Sequence, residues 1–302
     1  MISVIIPTKN RPNDLGKAVA SILDQTRCPD EIVIVDQSHG FESRRIVENL
    51  LSKPNLRFRY IHDQEITGLV DAKRVGVKHA TGDFIFFLED DIILESDYIE
   101  QLQDGFTRDS GMIGCSGIIT NPPPASALKI FLFDVFHRSI FADPRISIYR
   151  KSNGRGNDLI PSAKLSGGLS AWKKEVFVEV EFDTVNGFHM YEDIDFSTRV
   201  SYHFGGGLYI NPNACLAHHC SPLNRDVLGA RQKRKIIESI VYYKKRHDLH
   251  GAKLSLIWLL FGIGLESLFE SFSARSLGPV HGYFKGLSAG FSKNVFMDGS
   301  KR

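Results

Sequence analysis

Residues Asp83–Asp91 read DFIFFLEDD, an apolar run that leads directly into three consecutive carboxylates. The run is typical of a strand that is buried on both faces of a parallel sheet. If the chain stays extended, its side chains alternate, so Glu89 and Asp91 point to one side and Asp90 to the other. Two carboxylates aimed at one point favour a hard cation, Mg²⁺ or Mn²⁺, which would offset their repulsion. The alternative is a solvated turn that caps the next helix, but the position after a core strand favours the metal site.

The chain before this stretch alternates between short apolar runs and amphipathic segments. Strands are predicted at 2–6, 31–35 and 56–61, and the helices that follow them at 13–25, 41–51 and 68–80. Pro12 and Asn10 suit the start of the first helix. This order predicts a parallel, right-handed β/α sheet with ligands at the carboxyl ends of its strands.

The pattern is less regular after the acidic triplet. A helix at 96–106 and a strand at 112–119 precede the Pro122–Pro124 break, and 120–164 has the character of an active-site excursion. Its aromatic segment 131–141 suits either a helical lid or a packing element. Regularity returns with a helix that starts near Glu192 and with predicted strands at 208–210 and 214–217.

Composition restricts the class of protein. The 302 residues are 42% hydrophobic and 24% charged, which disfavours a disordered chain and a polytopic membrane protein. Lys and Arg number 37 against 35 Asp and Glu, so nucleic-acid binding would have to rest on a local basic patch, and we expect no nucleic-acid partner. Four cysteines without a C-x-x-C pair and an N-terminus without a basic signal region indicate a cytoplasmic protein.

The C-terminal part of the chain combines basic and apolar patches. Seven Lys or Arg residues lie within 231–246, and the charge-free run Leu254–Leu265 follows. That run is shorter than the roughly 20 residues that span a bilayer, so we expect an interfacial or re-entrant helix pair with 267–272 and 283–291, in contact with an anionic membrane. The alternatives are a helical lid on the catalytic domain, a dimer interface and, more weakly, nucleic-acid binding.

No glycine-rich phosphate loop is present. The sequence has neither G-x-x-x-x-G-K-[ST] nor a strand-linked G-x-G-x-x-G. The metal would therefore carry the phosphates of a nucleotide, and a diphosphate leaving group is what such a metal serves, because negative charge builds on the phosphate as its bond to a sugar breaks.

Together these segments resemble family 2 glycosyltransferases with the GT-A nucleotide-sugar fold, over roughly residues 1–220. VIIPTKNR at 4–11 resembles the first strand and nucleotide-contacting loop of the family, and VIVDQS at 33–38 resembles the second strand, whose aspartate meets the base. GLVDAKR at 68–74 resembles the helix whose basic residue approaches the nucleotide or diphosphate, and FLEDD at 87–91 the D-x-D metal site, with Glu replacing the first Asp. The nucleotide-binding residues that this resemblance implies are Pro7, Thr8, Asn10, Arg11, Asp36, Asp71, Arg74 and Asp90.

The second half of the resemblance concerns the acceptor. SGGLSA at 166–171 resembles the acceptor-side strand, and YEDID at 191–195 resembles the E-D motif, in which the second acid is the base. The resemblance thus implies Asp193 as the catalytic base. The acceptor-side residues that it implies are Gly167, Gly168 and Glu192. For Asp195 we expect only an i,i+4 ion pair with Arg199.

Two histidines follow the last predicted strand. Alternation puts His218 on the same face as Ala214 and Leu216, and the resemblance implies a histidine here that helps to hold the metal or diphosphate. The expected ligands of Mn²⁺ or Mg²⁺ are therefore Glu89, Asp91 and His218, with His219 as the alternative histidine. A zinc site with Cys220 is disfavoured because no matching ligand spacing occurs elsewhere.

The resemblance implies an α/β fold of the GT-A nucleotide-sugar-binding type, a Rossmann-like mixed sheet flanked by helices, with a helical, partly amphipathic C-terminal extension. We expect a catalytic domain at 1–225, with a nucleotide-binding half at about 1–119 and an acceptor half at 120–225. The basic and apolar helical region then covers 226–302. The sequence does not decide between a monomer and a homo-oligomer.

The function implied is metal-dependent, inverting transfer of a sugar from a nucleotide diphosphate, expected to be a UDP-sugar, to a glycan or lipid-linked acceptor. We expect this reaction in polysaccharide biosynthesis, in the cytoplasm at the inner face of the cell membrane. The alternatives are a sugar-phosphate nucleotidyltransferase and a catalytically silent nucleotide-sugar-binding subunit.

Overall fold

A computed structural model describes residues 1–50, 56–137, 159–221, 227–245 and 251–292. Its nine strands, within those residues, are β1 (Ile2–Thr8), β2 (Glu31–Asp36), β3 (Arg57–His62), β4 (Phe84–Leu88), β5 (Ile92–Leu94), β6 (Gly114–Ile119), β7 (Ile160–Pro161), β8 (Leu169–Lys173) and β9 (Leu208–His218). Its helices are α1 (Pro12–Leu23), α2 (Glu42–Leu50), α3 (Gly68–His79), α4 (Tyr98–Arg108), α5 (Ala127–Phe136), α6 (Val176–Glu179), α7 (Glu192–Phe204), α8 (Leu228–Lys245), α9 (Ala252–Ser273) and α10 (Gly278–Phe291).

The described residues divide into two compact units. One contains 1–122 and 159–221, and the other contains 123–137, 227–245 and 251–292. The aromatic segment predicted at 131–141 is helical in α5 as far as Phe136, and residues 138–158 of the predicted excursion lie outside the described residues. Because Phe136 packs on Trp258 and Phe261 of α9, α5 groups with the C-terminal helices. The sequence-based boundaries, by contrast, assign α5 to the acceptor half at 120–225.

The first unit is built on one mixed sheet with the strand order β3-β2-β1-β4-β8-β6-β9-β5, and β7 pairs with β9. β1 runs parallel to β2 and β4, whereas β8 runs antiparallel to both β4 and β6. All six residues of β2 are buried, which explains why the central strands are continuous apolar runs without alternation. The predicted α/β fold with a mixed sheet is confirmed.

One predicted break in the sheet is wrong. The sequence predicts separate strands at 208–210 and 214–217, but β9 is continuous over Leu208–His218. Asn211 and Pro212 are residue types that often form a turn, but the strand continues through them. The pairing of β9 with β6 shifts register between Ser116 and Ile118, so the residues of β9 between Ile210 and Cys215 form a bulge. The Asn211 side chain stabilises the bulge, because it donates to the Gln101 carbonyl at 2.8 Å and accepts from the Asn213 amide at 3.0 Å.

The second unit consists of α5, α8, α9 and α10. The expected separation of Leu254–Leu265 from 267–272 is wrong, since both segments belong to the 22-residue helix α9. Glu266, which ends the apolar run, lies 2.6 Å from Lys235 Nζ and 2.8 Å from His137 Nε2, so its charge is compensated within the helical packing. Among the described residues, α9 is the one helix that is long and apolar enough to cross a membrane, and half of its most apolar window is buried.

Candidate active site

The acidic triplet forms the connection between β4 and β5. Leu88 ends β4 opposite Leu169, and Ile92 begins β5 opposite His218 of β9. The predicted alternation of side chains is confirmed: Glu89 and Asp91 both approach His218, whereas Asp90 faces the first loop of the sheet.

Glu89, Asp91 and His218 converge on one point. His218 Nε2 lies 3.0 Å from Glu89 Oε2 and 3.0 Å from Asp91 Oδ1, and the three potential ligand atoms are within 4.8 Å of one another. The antiparallel register of β5 and β9 brings His218 to this position. The side chain of His219 is exposed, and its backbone amide donates to the Asp91 carbonyl at 2.8 Å. Of the two histidines, His218 is therefore the one beside the acids.

The charges of this triad are strongly coupled. Hydrogen bonds to Asp91 and then to Glu89 raise the pKa of His218 to about 10. Burial acts against ionisation of Asp91, but the hydrogen bonds from His218 and from the Ser221 amide hold the pKa of Asp91 below its usual value. Asp91 Oδ1 is buried 3.0 Å from His218 Nε2, and no further hydrogen bond to it is found within the described residues. Two carboxylates and an imidazole that converge in this way fit a divalent cation.

Asp90 belongs to a different set of contacts. Thr8 Oγ1 donates to Asp90 Oδ2 at 2.7 Å, and Arg11 Nη1 donates to Asp90 Oδ1 at 2.9 Å. Burial raises the pKa of Asp90 to about 6, although Arg11 and Thr8 oppose this shift. Arg11 Nη1 also lies 3.5 Å from Asp91 Oδ2. The guanidinium therefore links the first loop to the acid cluster and partly neutralises it.

The loops after β1 and β2 are fixed to each other. Pro7 pairs with Val35 in the parallel ladder of these strands. Asn10 has a positive φ of 55°, and its amide donates to Ser38 Oγ at 2.7 Å, while its side-chain oxygen accepts from the His39 amide at 3.2 Å. The two predicted nucleotide-contacting loops thus lie side by side at the carboxyl edge of the sheet.

Gly167 and Gly168, the glycines predicted for the acceptor side, lie where other segments approach too closely for a side chain. A Cβ on Gly168 would lie 2.2 Å from Glu89 Cγ, and a Cβ on Gly167 would lie 1.9 Å from Glu192 Oε1. The backbone amide of Glu89 donates to the carbonyl of Gly168 at 3.0 Å. Consecutive glycines therefore contact an acid of the triad on one side and the first residue of α7 on the other.

Asp193 lies in the first turn of α7 and is half-buried. Its Oδ1 accepts from the Ile194 amide at 2.8 Å. A small cavity beside it is lined by, among others, Lys73, Phe87, Gly167 and Glu192. The expected i,i+4 pair is confirmed, because Arg199 Nη2 lies 2.8 Å from Asp195 Oδ2. The acid at 195 is thus bound to its own helix, and the acid at 193 faces a cavity.

Comparison with known proteins identifies the family. A family profile described as Glycosyl transferase family 2 matches residues 3–126. Glycosyltransferase GlyG of Streptococcus pneumoniae serotype 4 is 32% identical over 316 aligned positions, which span 100% of this chain and 98% of that protein. The chain belongs to glycosyl transferase family 2. The expected enzyme class, a glycosyltransferase, is thereby confirmed for this family 2 glycosyltransferase.

Other relatives of this glycosyltransferase align over a smaller region. The GalNAc(5)-diNAcBac-PP-undecaprenol beta-1,3-glucosyltransferase of Campylobacter jejuni is 36% identical over 91 residues, which are 30% of this chain and 29% of that protein. The aligned segment makes up 18% of the length of an uncharacterized glycosyltransferase of Rickettsia felis. It makes up 14% of the length of GlyA of Streptococcus pneumoniae. The match to these proteins covers about a third of the present chain.

Solved structures support the GT-A fold of the glycosyltransferase. The mannosyltransferase PcManGT from Pyrobaculum calidifontis, in complex with GDP-Man and Mn²⁺, has a TM-score of 0.62 at 14% identity and covers 97% of this chain and 88% of its own. Residues 1–349 of TarS from S. aureus give a TM-score of 0.58 at 15% identity, and the match covers 90% of this chain and 74% of the TarS chain. The expected GT-A fold with C-terminal helices is confirmed.

One predicted nucleotide contact of the family 2 enzyme, Asp36, lies in unexpected surroundings. Asp36 is fully buried, and its carboxylate accepts from the Ser38 amide at 2.8 Å and from the Tyr60 hydroxyl. Burial and the contact with Asp36 raise the pKa of the Tyr60 hydroxyl. To meet a base directly, Asp36 would have to exchange one of these internal partners.

The basic residue of α3 that enters the site was missed by sequence reasoning. Arg74 is 58% exposed and lies 3.5 Å from Asp71, which is partly exposed as well. The neighbouring Lys73 is 2% exposed and its Nζ lies 2.6 Å from Glu192 Oε1. The i, i+3 spacing of Val70, Lys73 and Gly76, all buried, was the available signal, because it places Lys73 on the inward face of the helix.

Proposed function

We propose that this family 2 glycosyltransferase transfers a sugar from a UDP-sugar, with inversion at the anomeric carbon, and that a divalent cation assists the reaction. The observation that carries the proposal is the convergence of Glu89, Asp91 and His218 at the end of β4, joined to the start of α7 by the Gly167–Gly168 segment. Displacement at a sugar carbon requires a cation for the leaving diphosphate and a carboxylate base for the acceptor.

Glu89, Asp91 and His218 would hold the cation, Mn²⁺ or Mg²⁺. When bound, such an ion neutralises the negative charge that develops on the departing diphosphate. Arg11, which contacts both Asp90 and Asp91, fixes the acids and adds a positive charge at the same edge. With Arg11, the residues that we assign to nucleotide binding are Pro7, Thr8, Asn10, Asp36, Asp71, Arg74 and Asp90.

Asp193 is assigned as the base. Its Oδ1 accepts the Ile194 amide, so Oδ2 would take the proton from the acceptor hydroxyl. The acceptor oxygen then bonds to the anomeric carbon while the bond from that carbon to the diphosphate oxygen breaks, and the sugar is inverted. A first-turn position supports the assignment, because the positive end of the helix dipole and unpaired backbone amides stabilise the carboxylate.

The acceptor is proposed to be a glycan or a lipid-linked glycan. The chain belongs to a family with members in glycan biosynthesis, and the Campylobacter relative is named for an acceptor on PP-undecaprenol. Gly167, Gly168 and Glu192 would line the acceptor side, because these residues separate the triad from Asp193.

The second unit is proposed to contact an anionic membrane peripherally, at the inner face of the cell membrane. Five large apolar side chains of α9 are exposed at spacings of three, four or seven residues: Leu254, Ile257, Phe261, Leu268 and Phe272. The described part of this unit has ten Lys or Arg against four Asp or Glu. An apolar stripe on a strongly basic unit is what binding to anionic lipids favours.

The membrane proposal is tested by flotation with vesicles. The full chain should float with phosphatidylglycerol vesicles and not with phosphatidylcholine vesicles, and Phe261→Ser/Phe272→Ser should abolish flotation. Equal flotation with both lipids would contradict the role of the basic residues. A dimer in size-exclusion chromatography that the double substitution converts to a monomer would instead assign the stripe to a homo-oligomer.

The reaction is tested with a panel of UDP-glucose, UDP-galactose, UDP-N-acetylglucosamine and GDP-mannose, by mass spectrometry of released nucleotide. UDP release that needs Mn²⁺ or Mg²⁺ and stops with EDTA supports the proposal. Turnover of GDP-mannose alone would replace the UDP assignment, and turnover in EDTA would contradict the metal. Saturable nucleotide-sugar binding without turnover would indicate a binding subunit.

A further inference from the structure

Lys73 is a buried cation that contacts three segments of the chain, each of which leads directly to a residue of the proposed site. Its Nζ lies 2.6 Å from Glu192 Oε1, donates to the Gly167 carbonyl at 2.8 Å, and stands 5.3 Å from the centroid of the Phe87 ring. Each of the three partners is next to, or two residues from, a residue with an assigned role in the reaction. Phe87 precedes Glu89 by two residues, Gly167 precedes Gly168, and Glu192 precedes Asp193.

Stability alone does not account for this pair. Lys73 is 2% exposed and Glu192 is 7% exposed, so both charges have lost most of their hydration. Replacement of such a pair by apolar side chains is often neutral or stabilising, because the desolvation penalty can exceed the attraction. Burial also raises the pKa of Glu192, and although Lys73 opposes the shift, the nearby charges of Asp193 and Glu89 add to it.

We propose that Lys73 is a positioning residue that sets the first turn of α7, and with it Asp193, relative to the acids at the end of β4. The inference rests on the proposed function, in which Asp193 is the base. It concerns a residue of α3 outside the segments that hold the metal ligands and the base.

The geometry indicates how the ammonium acts. One N–H binds the carboxylate that begins α7, and another binds the carbonyl of the segment that approaches Glu89. A Cβ on Gly167 would lie 2.7 Å from Lys73 Nζ, so the absence of a side chain at 167 lets the ammonium reach both partners. Without it, α7 and the Gly167–Gly168 segment lose their common anchor. A displacement of about 1 Å at a reacting group can cost on the order of 100-fold in rate.

The test compares Lys73→Met, which keeps an unbranched apolar stem, with Lys73→Arg, which keeps the charge and the donors. The readouts are kcat for metal-dependent UDP release from the panel, UDP affinity by calorimetry with Mn²⁺, the Tm, and amide exchange in residues 192–195. We expect Lys73→Met to lower kcat at least tenfold, to leave UDP affinity within twofold, and to accelerate exchange in 192–195. Lys73→Arg should recover part of kcat.

Lys235→Met is the matched control, because Lys235 Nζ lies 2.6 Å from Glu266, the same separation as in the Lys73 pair. It should lower the Tm and leave kcat unchanged. If Lys73→Met does not fold, Lys73→Met/Glu192→Gln is compared with Glu192→Gln, since no unpaired carboxylate remains buried in the double variant. A further fivefold loss of kcat is expected there, because the Gly167 contact is lost as well.

Wild-type kcat in Lys73→Met, or equal kcat in Glu192→Gln and the double variant, would overturn the inference. An equal loss of kcat and UDP affinity would also contradict it, since that pattern assigns Lys73 to donor binding. Asp193→Asn separates the two proposals. If it is inactive while Lys73→Met is fully active, only the role of Lys73 fails; if Asp193→Asn turns over normally, the proposed base itself is wrong.

Discussion

The backbone amide of Glu89 donates to the carbonyl of Gly168 at 3.0 Å, and the Glu89 side chain fills the space where a Cβ on Gly168 would lie. This contact continues the antiparallel pairing of β4 with β8 by one residue beyond the Leu88–Leu169 pair. The acid that we propose as a metal ligand and the glycine that we propose for the acceptor side are therefore in direct contact, although 78 residues separate them in the sequence.

Gly168→Ala tests this contact. The added methyl group would lie 2.2 Å from Glu89 Cγ and must displace the side chain from His218. We expect Mn²⁺ affinity to fall by about 10-fold or more while the chain stays folded. Substitution of groups that orient a metal ligand typically has an effect of this size. Gly111→Ala is the control, because its Cβ would meet the Asp109 carboxylate at 3.2 Å, outside the site. Unchanged Mn²⁺ affinity in calorimetry for Gly168→Ala would contradict the role of Glu89 as a ligand.

Metal binding should release a proton from His218. Without metal the pKa of His218 is raised to about 10, so the imidazole is protonated at pH 7, and it must lose that proton to bind a cation. Apparent Mn²⁺ affinity should therefore increase with pH between about 6 and 9, and calorimetry in buffers of different ionisation enthalpy should give about one proton released. His218→Ala should remove this release. A proton count near zero in the wild-type protein would argue against His218 as a ligand.

The second unit should lose stability in acid through Glu266. Burial opposes its ionisation, but the contacts with His137 and Lys235 lower the pKa of Glu266 to about 2 from a model-peptide value of 4.5. A depressed carboxyl pKa stabilises the folded state above pH 4.5, and this contribution disappears as the pH falls towards 2. Glu266→Gln should lower the Tm clearly at pH 7 and much less at pH 2.5, whereas Glu48→Gln, in an exposed pair, should change little at either pH. Equal losses for Glu266→Gln at both pH values would contradict the assignment.

The packing of α10 on α8 depends on glycines. A Cβ on Gly282 would lie 2.0 Å from the Gly229 carbonyl oxygen, which is backbone and cannot move aside as a side chain can. Gly282→Ala should destabilise the unit by about 1–3 kcal/mol, the usual cost of overpacking. Gly278→Ala, four residues earlier, would meet Ser276 Oγ at 3.3 Å and should be tolerated. The difference in stability between the two variants is measured by thermal unfolding. Equal Tm values would show that α8 and α10 do not pack this closely.

Most of the fold could be predicted from sequence because its signals are local. The buried runs at Ile2–Thr8 and Phe84–Leu88 and the alternation of strands with helices are sufficient for the mixed α/β sheet. The convergence of Glu89 and Asp91 followed from the two-residue period of a strand. What remained hidden depends on contacts between distant segments, as with the bulge that lets β9 continue through Pro212 and the charges that let α9 continue through Glu266.

Within the candidate site, sequence reasoning found the acids better than the groups that surround them. The nucleotide-binding role of Arg74 stays a prediction, whereas the burial of the neighbouring Lys73 against Glu192 was not foreseen. The burial of Asp36 against Tyr60 was also beyond reach, since the pairing of β2 with β3 decides it. The roles of the individual residues in binding and catalysis stay predictions.

The most direct measurement is UDP release by Asp193→Asn with saturating UDP-sugar and Mn²⁺, next to Asp195→Asn. Both substitutions are isosteric and lie in the first turn of α7, but Asp195 is paired with Arg199 while Asp193 borders the cavity. We expect Asp193→Asn to lose turnover by about 100-fold or more with unchanged Mn²⁺-dependent UDP binding, and Asp195→Asn to keep its activity. Wild-type turnover by Asp193→Asn would show that Asp193 is not the base.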